Sequence, residues 1–167
     1  YSLDQINFDS TQDRLFSVGD LIDRGPDSLM CLELLNNPWF YAVQGNHERL
    51  MIDSIIYKLE TPYTSWIANG GAWSLEISDT VLVEWANRLN KLPITIEVKT
   101  SDALPIGIVH AEYPLNNWGQ RLEHQHLDDT VITSMLWSRT QIKNKLSRRV
   151  AGVNTLYIGH TPTDEVV

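Results

Sequence analysis

Short apolar runs alternate along this chain with segments of helical period. Leu15–Val18, Trp39–Val43, Ile94–Val98, Ile106–Val109 and Leu156–Ile158 are each apolar or alternating and are bounded by glycine or polar residues, which predicts strands. Leu29, Leu32 and Leu35 form a stripe after Gly25-Pro26-Asp27-Ser28, which predicts a helix capped by Asp27 or Ser28. Ile52, Ile55, Ile56 and Leu59 share a helical face after Asn46-His47-Glu48. Val81, Leu82, Trp85 and Leu89 do the same from about Asp79 to Leu89, with Pro93 beyond the end. A last helix is expected from about Asp128 to Trp137. Strands alternating with helices predict an α/β layered fold.

The polar residues fall at particular places in this pattern. The run Leu15–Val18 leads into Gly19-Asp20, and Trp39–Val43 leads into Gln44-Gly45-Asn46-His47-Glu48. Ile106–Val109 runs straight into His110, and Leu156–Ile158 into Gly159-His160. Taken singly, a Gly-Asp or Gly-Asn is a turn and a histidine at a strand end is a hydrogen-bonded residue. Here one arrangement recurs at successive strand ends. If these strands lie parallel in one sheet, Asp20, Asn46, His110 and His160 converge at its carboxyl edge, where open α/β sheets bind ligands. A carboxylate, a carboxamide and two imidazoles suit Mn, Fe or Zn better than Ca or a structural zinc.

Composition narrows the function classes. Net charge is −8, the wrong sign for a phosphate-backbone binder, so no nucleic-acid partner is expected. No apolar run approaches the roughly 18 residues of a membrane span, and no membrane partner is expected. Cys31 is the single cysteine, which excludes an internal disulfide or a multi-cysteine zinc site and fits a reduced, cytoplasmic setting. It lies in an apolar run and reads as a core residue. His124 and His126 match no ligand spacing and read as a solvated loop. Arg148 and Arg149 read as surface. The six tryptophans read mostly as core, with Trp118 on a loop near the site, and Asn69-Gly70-Gly71 as a turn without assigned chemistry.

Gly19-Asp20-Leu21-Ile22-Asp23-Arg24-Gly25 resembles the GDxxDRG signature of the phosphoprotein phosphatase family, and Gly45-Asn46-His47-Glu48 resembles its GNHE motif. His110 and Gly159-His160-Thr161 resemble the two later histidine motifs. His110-Ala111-Glu112-Tyr113-Pro114 and Trp137-Ser138-Arg139 are similar to the bacterial and bacteriophage-lambda branch. The resemblance spans essentially the whole chain. It implies a metallophosphoesterase-type β-sandwich flanked by helices, in one calcineurin-like domain over residues 1–167. It also implies two divalent metal ions, Mn²⁺ first and Fe or Zn as alternatives. Asp20 would bridge the two ions, and Asn46, His110 and His160 would complete the ligands of one. His47 would be the general acid, Asp23 its orienting partner, and Arg24, Arg139 and Asn46 would contact phosphate. The metals would generate a hydroxide for direct in-line attack.

The family's opening GDxHG motif has no match here. The Asp and His of the first metal are expected upstream of Tyr1, so the fold is expected to lack its N-terminal strand and, past Val167, its C-terminal strands. The implied substrate is a phosphoprotein or phosphopeptide carrying phosphoserine, phosphothreonine or phosphotyrosine. The alternatives are symmetrical dinucleoside tetraphosphate hydrolysis on the same fold and a non-catalytic binding domain. Asp23 and Glu48 speak against the first alternative, because that sister family typically lacks the one and has aspartate in place of the other. The intact ligand set speaks against the second.

Overall fold

The computed structural model describes residues 2–99, 101, 104–120, 128–146 and 148–163. After a short helix α1 (Ser2–Gln5), strand β1 (Leu15–Ser17) pairs in parallel with β2 (Phe40–Ala42), Leu15 opposite Phe40. The helix between them, α2 (Ser28–Glu33), is capped by Asp27, whose side chain accepts the Met30 N–H at 2.9 Å. Leu32 is buried on its inner face, with Leu29 and Leu35 packed beside it. Cys31 is half-buried, not a full core residue, because it lies beside that stripe.

Helix α3 (Asn46–Ile55) follows β2 after a three-residue link, Val43-Gln44-Gly45, and buries Leu50, Met51 and Ile52. It stops before Leu59, which is 48 % exposed and does not extend the buried face as its spacing suggested. A further helix, α4 (Glu60–Ala68), follows directly. The apolar period does not announce it, and Pro62 sits in its first turn, where a missing N–H is harmless. A 3₁₀ segment (Gly71–Glu76) leads to α5 (Asp79–Leu89). Leu82, Trp85, Ala86 and Leu89 of α5 are buried, whereas Val81 is 36 % exposed at the edge of the stripe. Burying each large side chain contributes roughly 1.5–3 kcal/mol. Together α2 to α5 enclose one core around Trp66, which is fully buried.

The second sheet has the order β3 (Thr95–Val98), β4 (Ile106–Val109), β5 (Thr155–Tyr157). β3 is antiparallel to β4, and β5 is parallel to it. Between β4 and β5 lie α6 (Asp129–Trp137), capped by Asp128, and α7 (Thr140–Lys143). The second core gathers Val109, Tyr113, Trp118 and Met135. Trp118 does lie in a turn, but its side chain belongs to this core: it is 1 % exposed and its indole N–H donates to Glu97. His124 and His126 lie outside the described residues.

The strands that carry the polar ends therefore occupy two sheets, not one. Three bonds tie those ends together: the Val43 N–H donates to Ser17 O at 3.2 Å, the Gly159 N–H to His110 O at 2.8 Å, and His110 Nδ1 lies 2.6 Å from Val18 O. No helix among the described residues is long and apolar enough to cross a membrane.

Candidate metal centre

Asp20 follows β1 through Gly19, and both adopt positive φ, +89° at Gly19 and 55° at Asp20. The turn is closely packed. A Cβ on Gly19 would stand 2.7 Å from the Gly45 nitrogen, and one on Gly45 would collide with Asp20 Oδ1. Glycine is needed at both positions because the two loops touch backbone to backbone. Glu48 holds this contact from behind. Its carboxylate is fully buried and accepts the N–H groups of Asp20 (2.8 Å), Leu21 (2.6 Å) and Gly45 (2.7 Å). Burial, then the charge of Asp20, push the Glu48 carboxyl up to about 7, against the pull of its backbone donors.

Asp20, His110 and His160 offer ligand atoms that all lie within 4.8 Å of one another. Asn46, at the start of α3, completes the group: its Oδ1 is 2.9 Å from His110 Nε2 and 2.8 Å from His160 Nδ1. His110 Nε2 is 3.4 Å from Asp20 Oδ1 and 3.1 Å from His160 Nδ1. The strand-end residues thus converge as their pattern predicts, although they come from two sheets.

The chemistry of this donor set fits a cation. Val18 O can only accept, so His110 Nδ1 carries the proton and Nε2 turns a lone pair toward the cluster. Burial, the largest influence, holds His110 below the usual imidazole range, in its neutral form. Nε2, Asn46 Oδ1 and Asp20 Oδ1 then present lone pairs to one another. A proton on His160 Nδ1 relieves part of that repulsion, whereas a divalent cation would relieve all of it. Burial, followed by the competing imidazole of His110 and the charge of Arg139, takes His160 down to about 4, so it too is neutral and able to ligate near pH 7. Asp20 and His160 both sit at positive φ, 55° and 64°. Strain of this kind in non-glycine residues gathers at functional sites.

His47 lies beside the cluster in the first turn of α3. Its N–H donates to Asp20 Oδ1 at 3.2 Å, so the helix start also supports that carboxylate. Its Nδ1 lies 2.6 Å from Asp23 Oδ2, and both side chains are almost completely buried. Burial opposes protonation of His47, but the hydrogen bond to Asp23 and the charges of Asp20 and Asp23 outweigh it, and the pKa is raised.

The two arginines differ in what they touch, and of the two, among the described residues, only Arg139 has a hydrogen bond to a cluster residue. Arg139 is half-buried and its Nε donates to His160 Nε2 at 3.1 Å. Glu112 holds the turn that carries it, accepting from Ser138 Oγ (2.7 Å) and the Gln141 N–H (2.5 Å). Arg24 is exposed, and its Nε donates to Asn69 O at 3.2 Å. Sequence reasoning missed the roles of Glu48 and Glu112 at the site. A glutamate three positions into a helix after a glycine is the available signal for the first, since it can reach back to the N-terminal amides. Nothing local signals the second.

The family model for calcineurin-like phosphoesterases matches residues 2–166. Serine/threonine-protein phosphatase 1 of Salmonella typhimurium is 37 % identical over 166 residues, covering 96 % of this chain and 70 % of that protein. Serine/threonine-protein phosphatase 2 of Escherichia coli is 34 % identical over 171 residues, covering 98 % of this chain and 73 % of that protein. A symmetrical bis(5'-nucleosyl)-tetraphosphatase of Nitrosospira multiformis is 48 % identical over 48 residues, 28 % of this chain and 18 % of that protein. A crystal structure provisionally assigned as a diadenosine tetraphosphatase shares the fold, with a TM-score of 0.54 at 24 % identity over 79 % of this chain and 50 % of its own. Metallophosphoesterase hydrolases share this fold and use divalent metals, and on both the family match and the near-complete coverage by relatives, the chain belongs to the calcineurin-like phosphoesterase family.

Proposed function

We propose that this chain hydrolyses phosphomonoesters of phosphoserine and phosphothreonine, and in this branch phosphotyrosine, in proteins. The observation that carries the reading is the buried His47–Asp23 pair set beside the convergent Asp20, Asn46, His110 and His160. A divalent cation held there would supply Lewis acidity, acidifying water and polarising phosphoryl oxygens. Asp20, Asn46, His110 and His160 would hold such a cation. Asp23 accepts the hydrogen bond from His47 Nδ1–H, which leaves Nε2 as the atom that would deliver a proton to the departing oxygen. Alkoxides of serine and threonine are strongly basic, so help at that oxygen matters most for these esters. Arg24, Arg139 and the Asn46 side chain would hold the phosphate. The likeness to serine/threonine-protein phosphatases 1 and 2, which spans nearly all of this chain, supports the substrate class.

A second reading is symmetrical dinucleoside tetraphosphate hydrolysis, favoured by the partial likeness to tetraphosphatases. That likeness covers under a third of the chain. Assays of a phosphoserine peptide and of diadenosine tetraphosphate, both with added Mn²⁺, separate the two. Turnover of the peptide is expected to dominate, and preferential cleavage of the dinucleotide would overturn the reading.

The phosphate grip can be tested on the same peptide. Arg24→Ala and Arg139→Ala each remove a charged fork and should lower kcat/KM, measured at saturating Mn²⁺, by the equivalent of roughly 1.5–3 kcal/mol, with metal content unchanged in Arg24→Ala. If Arg139→Ala matches the wild type, that residue does not hold the phosphate.

A further inference from the structure

The Asp23 carboxylate has more partners than His47. Trp73 Nε1 donates to its Oδ1 at 2.7 Å, and Trp66 Nε1 lies 3.2 Å from Oδ1 and 3.1 Å from Oδ2. The two indoles stand edge to face, with ring centres 6.1 Å apart, and both direct their N–H at this one side chain. Asp23 itself is held from its backbone, where its N–H donates to Ser28 Oγ at 3.0 Å.

The intervening turn is shaped for this contact. Gly70 has φ +121°, and a Cβ there would stand 2.9 Å from the Arg24 nitrogen and 3.1 Å from Asp23 Cβ. A Cβ on Gly71 would stand 2.7 Å from the Trp66 indole. Asn69-Gly70-Gly71 is therefore the place where the chain presses against the Asp23-Arg24 turn while folding Trp73 back beside Trp66.

An indole N–H can donate and cannot accept. Both indoles therefore need oxygen lone pairs, and an O–H on Asp23 could turn only to His47 Nδ1. The two tryptophans thus hold Asp23 as an acceptor in a place where its side chain is fully buried and a lone carboxylate would be costly. An acceptor at Oδ2 fixes the proton of His47 on Nδ1 and frees Nε2 toward the site. We propose that Trp66 and Trp73 are positioning residues for the leaving-group acid. They set the orientation and tautomer of His47 through Asp23 without touching substrate. The proposal rests on the reading of His47 as that acid.

Trp73→Phe is the direct test, because Trp73 is half-buried and phenylalanine keeps the ring while removing the N–H. A phosphoserine peptide and 4-nitrophenyl phosphate are compared, with His47→Asn run alongside. The variant is expected to lose kcat about 10-fold more on the peptide than on the aryl ester, part of the roughly 10²–10⁴-fold effect of a general acid. Metal content and KM should hold. Placed in the His47→Asn background, Trp73→Phe should add no further loss on either substrate, since the group it positions is gone. In the nuclear magnetic resonance spectrum, the Trp73 indole proton should lie downfield and move back on Asp23→Asn, which shows the contact independently of turnover. An equal loss on both esters, no loss at all, or an additive loss in the double variant would overturn the proposal. If His47→Asn itself loses both esters equally, the acid reading fails at its base, and that result is separate from a failure of Trp73→Phe alone.

Discussion

His47→Asn should retain the metal of the wild-type chain yet turn over a phosphoserine peptide on the order of 10²–10⁴-fold more slowly. Asparagine can stand in the first turn of α3 and keep the backbone N–H on Asp20, so the cluster beside it is undisturbed. What it lacks is a proton held at Nε2 by a ring whose other nitrogen is bound to a buried carboxylate. The deficit should shrink with 4-nitrophenyl phosphate, whose leaving oxygen needs little protonation. The measurement is the ratio of the two losses, with metal analysis on the same samples. Equal losses would mean that His47 acts on binding or on the cluster and not on the leaving group.

The second large effect is expected at the cluster. His110→Gln keeps bulk in a fully buried position but replaces an imidazole whose free nitrogen is aimed by Val18 O. Loss of an outer-shell partner alone lowers metal affinity about 10–100-fold, so loss of a direct ligand should exceed that. Phosphatase turnover at limiting Mn²⁺ should fall with it and recover in part at excess metal. Calorimetric titration with Mn²⁺ checks the affinity, and thermal unfolding in chelator checks that the variant still folds. Wild-type affinity in His110→Gln would remove this residue from the ligand set. Asn46 and His160, which share its contacts, would then have to be reassigned as well.

Local pattern carries much of this fold. The runs Leu15–Val18, Trp39–Val43, Ile94–Val98 and Ile106–Val109 each hold a strand, at Leu15–Ser17, Phe40–Ala42, Thr95–Val98 and Ile106–Val109, because they are short and apolar between punctuating residues. α2, α5 and α6 stand where the sequence reading put them, and in the structure Asp27 and Asp128 each accept an N–H of the first turn. Asp20, Asn46, His110 and His160 were legible as a group because each follows such a strand. Other features are set by contacts that no local window contains. α4 has too little apolar period to be read as a helix, and it is held by packing on α3 around Trp66. Whether the four strand ends share one sheet depends on backbone pairing between distant segments, and here β1–β2 and β3–β4–β5 pair separately. The Trp66 and Trp73 bonds to Asp23 span 43 and 50 residues, and tryptophan in an apolar stretch reads as core. Glu48 shows the division within one residue. Its reach back to the Gly45 amide belongs to the helix start and is local. Its grip on Asp20 and Leu21 exists only because two glycine turns meet backbone to backbone, so the sequence determined which residues stand at the strand ends, and tertiary packing alone decided how they are aimed.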